Sequence, residues 1–301
     1  MDSAISLTIG AYQIGVLLSC FLFGVMTTQT YVYYGRFPDD PLRLKILVAF
    51  VCLFEVGQAI CIGHTLYVLT VVDYGHPERL AGNTPRSFPL AALFAGLSTI
   101  CVQGFFSLRI YLLSERRLVP ILVALMLLFR LVDSGIIGAT AFSETSVGSY
   151  EARWGWLFTT AWSVSAACDL IITGTLVAIL IRQRTYGLRR TGALMDKLIA
   201  WTIETGMLTS ASWILILVCY VTMRHNFVWV SVFVVNARLF SNSLLASLNS
   251  RTTLRAMNEV SLPSLHLTAA LEVPSDDYVQ PLKGIAGVQV DELHRDGRVV
   301  S

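Results

Sequence analysis

Long apolar runs alternate along the chain with short stretches dense in charge, proline and glycine. The first run holds no charged residue between Asp2 and Arg36, an interval of 33 positions. A helix crossing a bilayer core requires about 20 mostly apolar residues. Six further runs follow, giving expected spans at 9–34, 44–72, 89–114, 118–142, 154–181, 198–223 and 227–249. Turn-forming stretches such as Gly35-Arg36-Phe37-Pro38-Asp39-Asp40-Pro41 and Tyr74-Gly75-His76-Pro77 separate them. The runs lack the apolar-polar alternation of barrel strands, so helices are expected to satisfy the backbone polar groups in lipid. The predicted architecture is all-α: a seven-transmembrane helix bundle over residues 1–249, followed by a disordered cytosolic tail over 250–301.

Composition supports this pattern. Only 14% of residues are charged and 54% are hydrophobic, with a mean hydropathy of +0.64. A soluble domain carries about 25% charge, so a water-exposed globule is excluded. The net charge of +2 gives no basic excess for a nucleic-acid partner. Charge placement is more informative. Counting alternate loops puts 12 Lys and Arg on one side and 4 on the other. Because basic loops resist translocation, the N-terminus is expected outside and the C-terminus in the cytosol. The plasma membrane is expected over internal membranes. Tyr31, Tyr33, Tyr34, Trp154 and Trp156 fall at span ends, where amphipathic rings favour headgroups. The first span has no basic flank before it and reads as an uncleaved anchor. All six cysteines lie inside spans, which indicates packing roles and no extracellular disulfide framework. No ligand spacing suggests a metal or a cofactor.

Ionisable side chains inside a bilayer cost about 2.5 to 3.5 kcal/mol each on insertion scales, so each requires a reason. The spans contain Glu55, His64, Arg109, Arg130, Asp133, Asp169, Glu204 and Arg238. Arg130 and Asp133, three apart on one helix, are expected to neutralise each other. Glu55 and His64, nine apart, fall on opposite helix faces. Arg109 lies near a span end and is expected to snorkel. Arg238, Asn242 and Asn249 share one stripe of span seven, and Asp169 is the expected partner of Arg238. The candidate intramembrane polar site is therefore Glu55, His64, Asp169, Glu204, Arg238 and Asn242. Small residues four apart, Ala92 with Gly96, Ser134 with Gly138 and Gly174 with Ala178, suggest close helix crossings. The densest basic loop, with Arg182, Arg184, Arg189 and Arg190, suits anionic lipid or a cytosolic partner.

Several segments resemble a family of multi-pass membrane proteins from basidiomycete fungi that share a domain of unknown function, DUF 6534. They are Gly24 to Tyr34 with Asp40 and Lys45, His64 with Tyr67, Asp169, the loop Arg184 to Thr191, Thr205 to Ser210, and Asn242 to Arg251. The resemblance spans most of residues 10–251 and departs at Leu239-Phe240, where the family looks more like a lysine and tyrosine pair. It implies a seven-helix bundle and a fungal membrane, with no activity attached.

Seven spans, a basic third cytosolic loop and a tail suggest receptor-like sensing or interaction with an unknown small ligand or cytosolic protein. Span seven lacks the Asn-Pro-x-x-Tyr of G-protein-coupled receptors, and Leu113-Ser114-Glu115-Arg116-Arg117 is only loosely like their acidic-arginine switch. Buried Glu55, Asp169, Glu204 and Arg238 suggest the alternative, a small-molecule or proton-linked transporter. No GxSxG, HExxH, Walker or GxGxxG pattern is present, so no catalytic residues and no enzyme are expected. The only lysines are Lys45, Lys197 and Lys283, which disfavours a retinal Schiff base in span seven.

Overall fold

A computed structural model describes residues 9–74, 85–114, 117–141, 147–186, 192–223 and 226–271. These residues form helices joined by short connections: α1 Ala11–Arg36, α2 Leu42–Tyr67, α3 Ser87–Leu113, α4 Leu118–Ala141, α5 Val147–Tyr186, α6 Gly192–Thr222 and α7 Val228–Leu271. At its end α2 widens into a π-helical turn, Val68–Val72. No strand occurs among the described residues. Seven helices are long and apolar enough to cross a membrane, one for each apolar run of the sequence.

Local chemistry sets the helix ends. Phe37 precedes Pro38 and leaves the helical region at φ −126°, as a residue before proline tends to do, while its amide closes α1 on the Tyr33 carbonyl. Pro41 then stands immediately before α2, where a missing amide proton costs nothing. Pro89 and Pro120 sit in the first turns of α3 and α4 for the same reason.

Packing is inverted relative to a soluble protein. Large apolar side chains such as Ile14, Leu17 and Phe21 on α1 or Ile121, Leu125 and Leu128 on α4 are exposed. Ser19, Glu55, Gln58, Ser98, Gln103, Arg130, Asp133, Asp169 and Arg238 are buried. Only an apolar solvent makes that arrangement favourable, since it leaves the lipid-facing surface hydrocarbon and lets polar groups meet inside. The most enclosed helix is α7: 61% of its membrane window is buried, against 22 to 39% for the other six. Its side chains bond to α1, α2, α3 and α6.

Small residues permit the close crossings. A Cβ on Gly96 would meet Ser134 Oγ at 3.1 Å, so two of the small-residue pairs seen in the sequence interlock between α3 and α4. The third, at Gly174, has nothing within 4 Å of such a Cβ. Closer approaches occur elsewhere. A Cβ on Gly206 would fall 2.0 Å from Thr173 Oγ1, and one on Gly15 would fall 2.7 Å from the Ser231 backbone.

The expected end of the membrane domain at Asn249 is not a helix end. The apolar window of α7 runs to Arg251 and the helix itself to Leu271. Residues 251–262 contain no glycine or proline, so no backbone breaker stands where the composition turns polar. The chain divides into a unit Met1–Asn258 and a unit Glu259–Ser301. The second is helical as far as Leu271, and the rest of the expected tail lies outside the described residues.

Candidate functional site

Two polar networks occupy the interior at mid-bundle. The first centres on Glu55 of α2 and Arg238 of α7, both side chains fully buried. The Arg238 guanidinium donates through Nη1 to the Glu55 carboxylate and to the Glu55 carbonyl at 2.9 Å, and through Nε to Ser19 Oγ of α1 at 3.0 Å. It also lies 4.9 Å from the centre of the Phe23 ring. The other carboxylate oxygen of Glu55 accepts from Ser98 of α3, at 2.7 Å, and from Ser241 of α7. Four helices thus meet on one ion pair, both oxygens of which are occupied. The carboxylate side of the pair thus meets the condition for tolerating a buried pair, while Arg238 Nη2 has no hydrogen-bond partner among the described residues.

The second network joins α3, α4, α5 and α6. Arg130 donates to the amide oxygen of Gln103, and the Gln103 amide nitrogen donates to Asp169. Trp213 lies under the Arg130 guanidinium, 5.4 Å from ring centre to cation. Thr209 and Trp213 stand beside the Asp169 carboxylate. Gln103 therefore relays between a cation and an anion that do not touch.

Two expectations are corrected here. Asp169 does not meet Arg238: it faces α3, α4 and α6, while Arg238 faces α1 and α2. Nor do Arg130 and Asp133 form an ion pair. A helical side chain leans toward the N-terminus, so a basic residue three positions before an acid leans away from it. This is the weaker order for a helical pair. Arg130 crosses to Gln103 instead, and Asp133 Oδ1, buried, has no hydrogen-bond partner among the described residues.

The remaining candidates separate from this interior. His64 is exposed, and its Nδ1 lies 2.9 Å from Ser87 Oγ at the start of α3, a contact that ties two helix ends together. Glu204 is exposed on α6 and joins neither network. Asn242 donates to the Leu22 carbonyl of α1 at 3.1 Å, and Asn249 donates to that of Gln29 at 2.9 Å. The polar stripe of α7 is thus a ladder against α1. Arg109 bonds Ser247 of α7 at 3.4 Å. In the basic loop, Arg182 is exposed and Arg184 pairs at 2.9 Å with Asp196, both about half exposed. Arg189 and Arg190 lie outside the described residues.

Above the networks, toward the end where α1 begins, a cavity of about 550 Å³ opens among the helices. Arg130, Asp133 and Gln58 line its deep part, and Asp73 and Arg86 stand at helix ends around it. One wall is aromatic. Phe158 and Trp162 of α5 stack at 5.4 Å, and Trp162 lies 5.5 Å from Trp229 of α7. The floor is shared with the networks. The lining residues Gln58, Thr99 and Ala237 lie within one turn of Glu55, Ser98 and Arg238. Both side-chain polar atoms of Gln58, which is 1% exposed, lack a hydrogen-bond partner among the described residues. Gln58, Gln103, Ser98 and Ser241 escape a search for charges alone. An amide inside an apolar run carries the same signal, since it too requires a partner in hydrocarbon.

Fold and site together define a class: a helical membrane protein with seven spans and a polar-floored interior cavity. Residues 165–253, 89 of the 301, match a family model described as a family of unknown function, DUF6534. That segment carries Asp169, Trp213, Trp229, Arg238 and Asn242. Neither the curated proteins nor the solved structures contain a match.

Proposed function

We propose that this protein is a receptor-like sensor of the plasma membrane, without a catalytic step, whose small ligand occupies the cavity. The observation that carries this reading is the shared floor. A molecule resting on Gln58, Thr99 and Ala237 presses on residues adjoining Glu55, Ser98 and Arg238, which hold α1, α2, α3 and α7 together. Occupancy then biases how these helices meet, and their far ends carry the change to the other side. At that far end Arg251 of α7 binds Asp40 of the first connection, at 2.5 and 3.2 Å, and lies 4.4 Å over Phe37. The N-terminal end, expected outside from the loop charges, faces the stimulus.

Transmission is testable without the ligand. Ala92→Trp fills the cavity that Ala92 lines. In nanodiscs this variant is expected to alter hydrogen exchange of the Phe37, Asp39, Asp40, Leu113 and Ser114 amides, at the opposite end of the bundle. Exchange that changes only around the cavity removes the sensing reading.

Proton-linked transport is the second reading, favoured by the carboxylate oxygen of Asp133 that has no hydrogen-bond partner among the described residues and lies beside the cavity. Proteoliposomes loaded with a pH-reporting dye should then leak protons faster than protein-free vesicles, and Asp133→Asn should abolish the excess. Flux equal to that of protein-free vesicles eliminates it.

A further inference from the structure

The cavity also carries information about the chemistry of its occupant, an inference that rests on the cavity being a ligand site. Its lining charges balance in number, Arg86 and Arg130 against Asp73 and Asp133, but not in hydrogen bonding. Arg130 is linked to Asp169 through Gln103, and Asp73 and Arg86 near the mouth carry opposite signs. Asp133 is the remainder: 3% exposed, lining the cavity, with Oδ1 lacking a partner among the described residues. A buried carboxylate oxygen without a donor is costly in a low-dielectric interior, and the group that relieves it is a cationic N–H. Also on the lining, Gln58 of α2 offers an amide with no hydrogen-bond partner among the described residues, able to donate and to accept. The Phe158, Trp162 and Trp229 rings supply a flat apolar wall that packs an aromatic body and attracts positive charge.

We propose that the cavity binds an amphiphilic organic amine, its ammonium on Asp133, a polar atom on Gln58 and its apolar body against the aromatic wall. An anionic ligand is disfavoured, because Arg130 already serves Asp169 and a second carboxylate beside Asp133 adds repulsion.

Equilibrium dialysis of the full chain in zwitterionic nanodiscs tests this with three probes that share a ring body: 2-(naphthalen-1-yl)ethylamine, 2-(naphthalen-1-yl)ethanol and naphthalene-1-acetate. Saturable binding is measured over empty nanodiscs. The amine is expected to bind about tenfold more tightly than the alcohol, the margin of one charge-assisted hydrogen bond, with the acetate weakest. Asp133→Asn should remove the preference and leave the alcohol unchanged, whereas Gln58→Leu should weaken amine and alcohol alike. The ranking on the native chain stands alone if a variant fails to fold. Acetate binding at or above the amine, an amine preference that survives Asp133→Asn, or no saturable binding of any probe each overturns the proposal. Dialysis reads occupancy only. A reversed ranking therefore leaves the hydrogen-exchange test of sensing intact, and a failed exchange test leaves the ranking intact.

Discussion

The Glu55–Arg238 pair supports a quantitative test of how the bundle is held. Arg238→Met keeps length and packing while deleting the guanidinium. The structure shows what is lost: the bond to the Glu55 carboxylate, those to the Glu55 carbonyl and Ser19, and the contact over Phe23. Hydrogen bonds to charged groups contribute about 1.5 to 3 kcal/mol each, but these share one head group and do not add independently. The orphaned Glu55 keeps Ser98 and Ser241 as donors, which limits its penalty. The expected cost is about 3 to 5 kcal/mol, the usual range for removing one partner of a buried pair. Glu55→Gln, which removes the charge that neutralises Arg238, should cost a similar amount. The double variant should cost less than the two singles together by at least about 2 kcal/mol, since neither charge is left stranded. Unfolding free energies from detergent titration in bicelles supply the cycle. Single costs below about 1 kcal/mol, or additivity within about 0.5 kcal/mol, would refute the claim that these two side chains hold each other in a dry interior.

Glycine replacements should separate real crossings from chance spacing. Gly206→Ala, whose methyl would collide with Thr173, is expected to cost about 1 to 3 kcal/mol and to be relieved by Thr173→Ala. Gly174→Ala, with open space around it, should be neutral or mildly stabilising by up to about 1 kcal/mol, both read by the same titration. Asp40→Asn removes the charge and one of the two oxygens that accept from Arg251 and Tyr33. With Arg251 about a third exposed it should cost only about 1 kcal/mol globally, yet speed hydrogen exchange at the Phe37, Asp39 and Asp40 amides. Glu204→Gln, on an exposed position, should leave stability within about 0.5 kcal/mol.

The spans are legible in the sequence because hydrocarbon imposes one rule on every residue of a run, and length and charge content suffice to read it. The polar stripe of α7 is legible for a related reason: Arg238, Asn242 and Asn249 share a helix face by spacing alone, and that face meets α1. Partner choice across helices is a different matter. Whether Arg238 meets Glu55 or Asp169 depends on which helices surround α7 and at what depth, and no periodicity encodes that. The Arg130–Asp133 expectation fails on something the chain does contain, its order. With the base three residues before the acid, the direction in which side chains lean along a helix already argues against the pair. Glu204 shows the converse error. Its charge inside an apolar run suggests burial, but its window begins at Asp196, so it lies only two turns in, where a carboxylate remains on the surface.

An acid buried in a bilayer protein has two stable outcomes, and this chain contains both. It can be surrounded by donors, as at Glu55, where three donors from α3 and α7 close around both carboxylate oxygens. Such a site holds helices and offers no free carboxylate oxygen to a ligand. Or it can be left incomplete beside open space, as at Asp133, whose neighbouring cation is committed elsewhere and whose free oxygen lies at a cavity large enough for a drug-sized molecule. Leaving that oxygen bare costs stability that the fold could recover with one serine from a facing helix, the device it uses at Glu55. The contrast between these acids, one within a turn of the cavity floor and the other lining the cavity, is what the proposed ligand site rests on: the second acid would be its binding group and the first the joint on which occupancy acts.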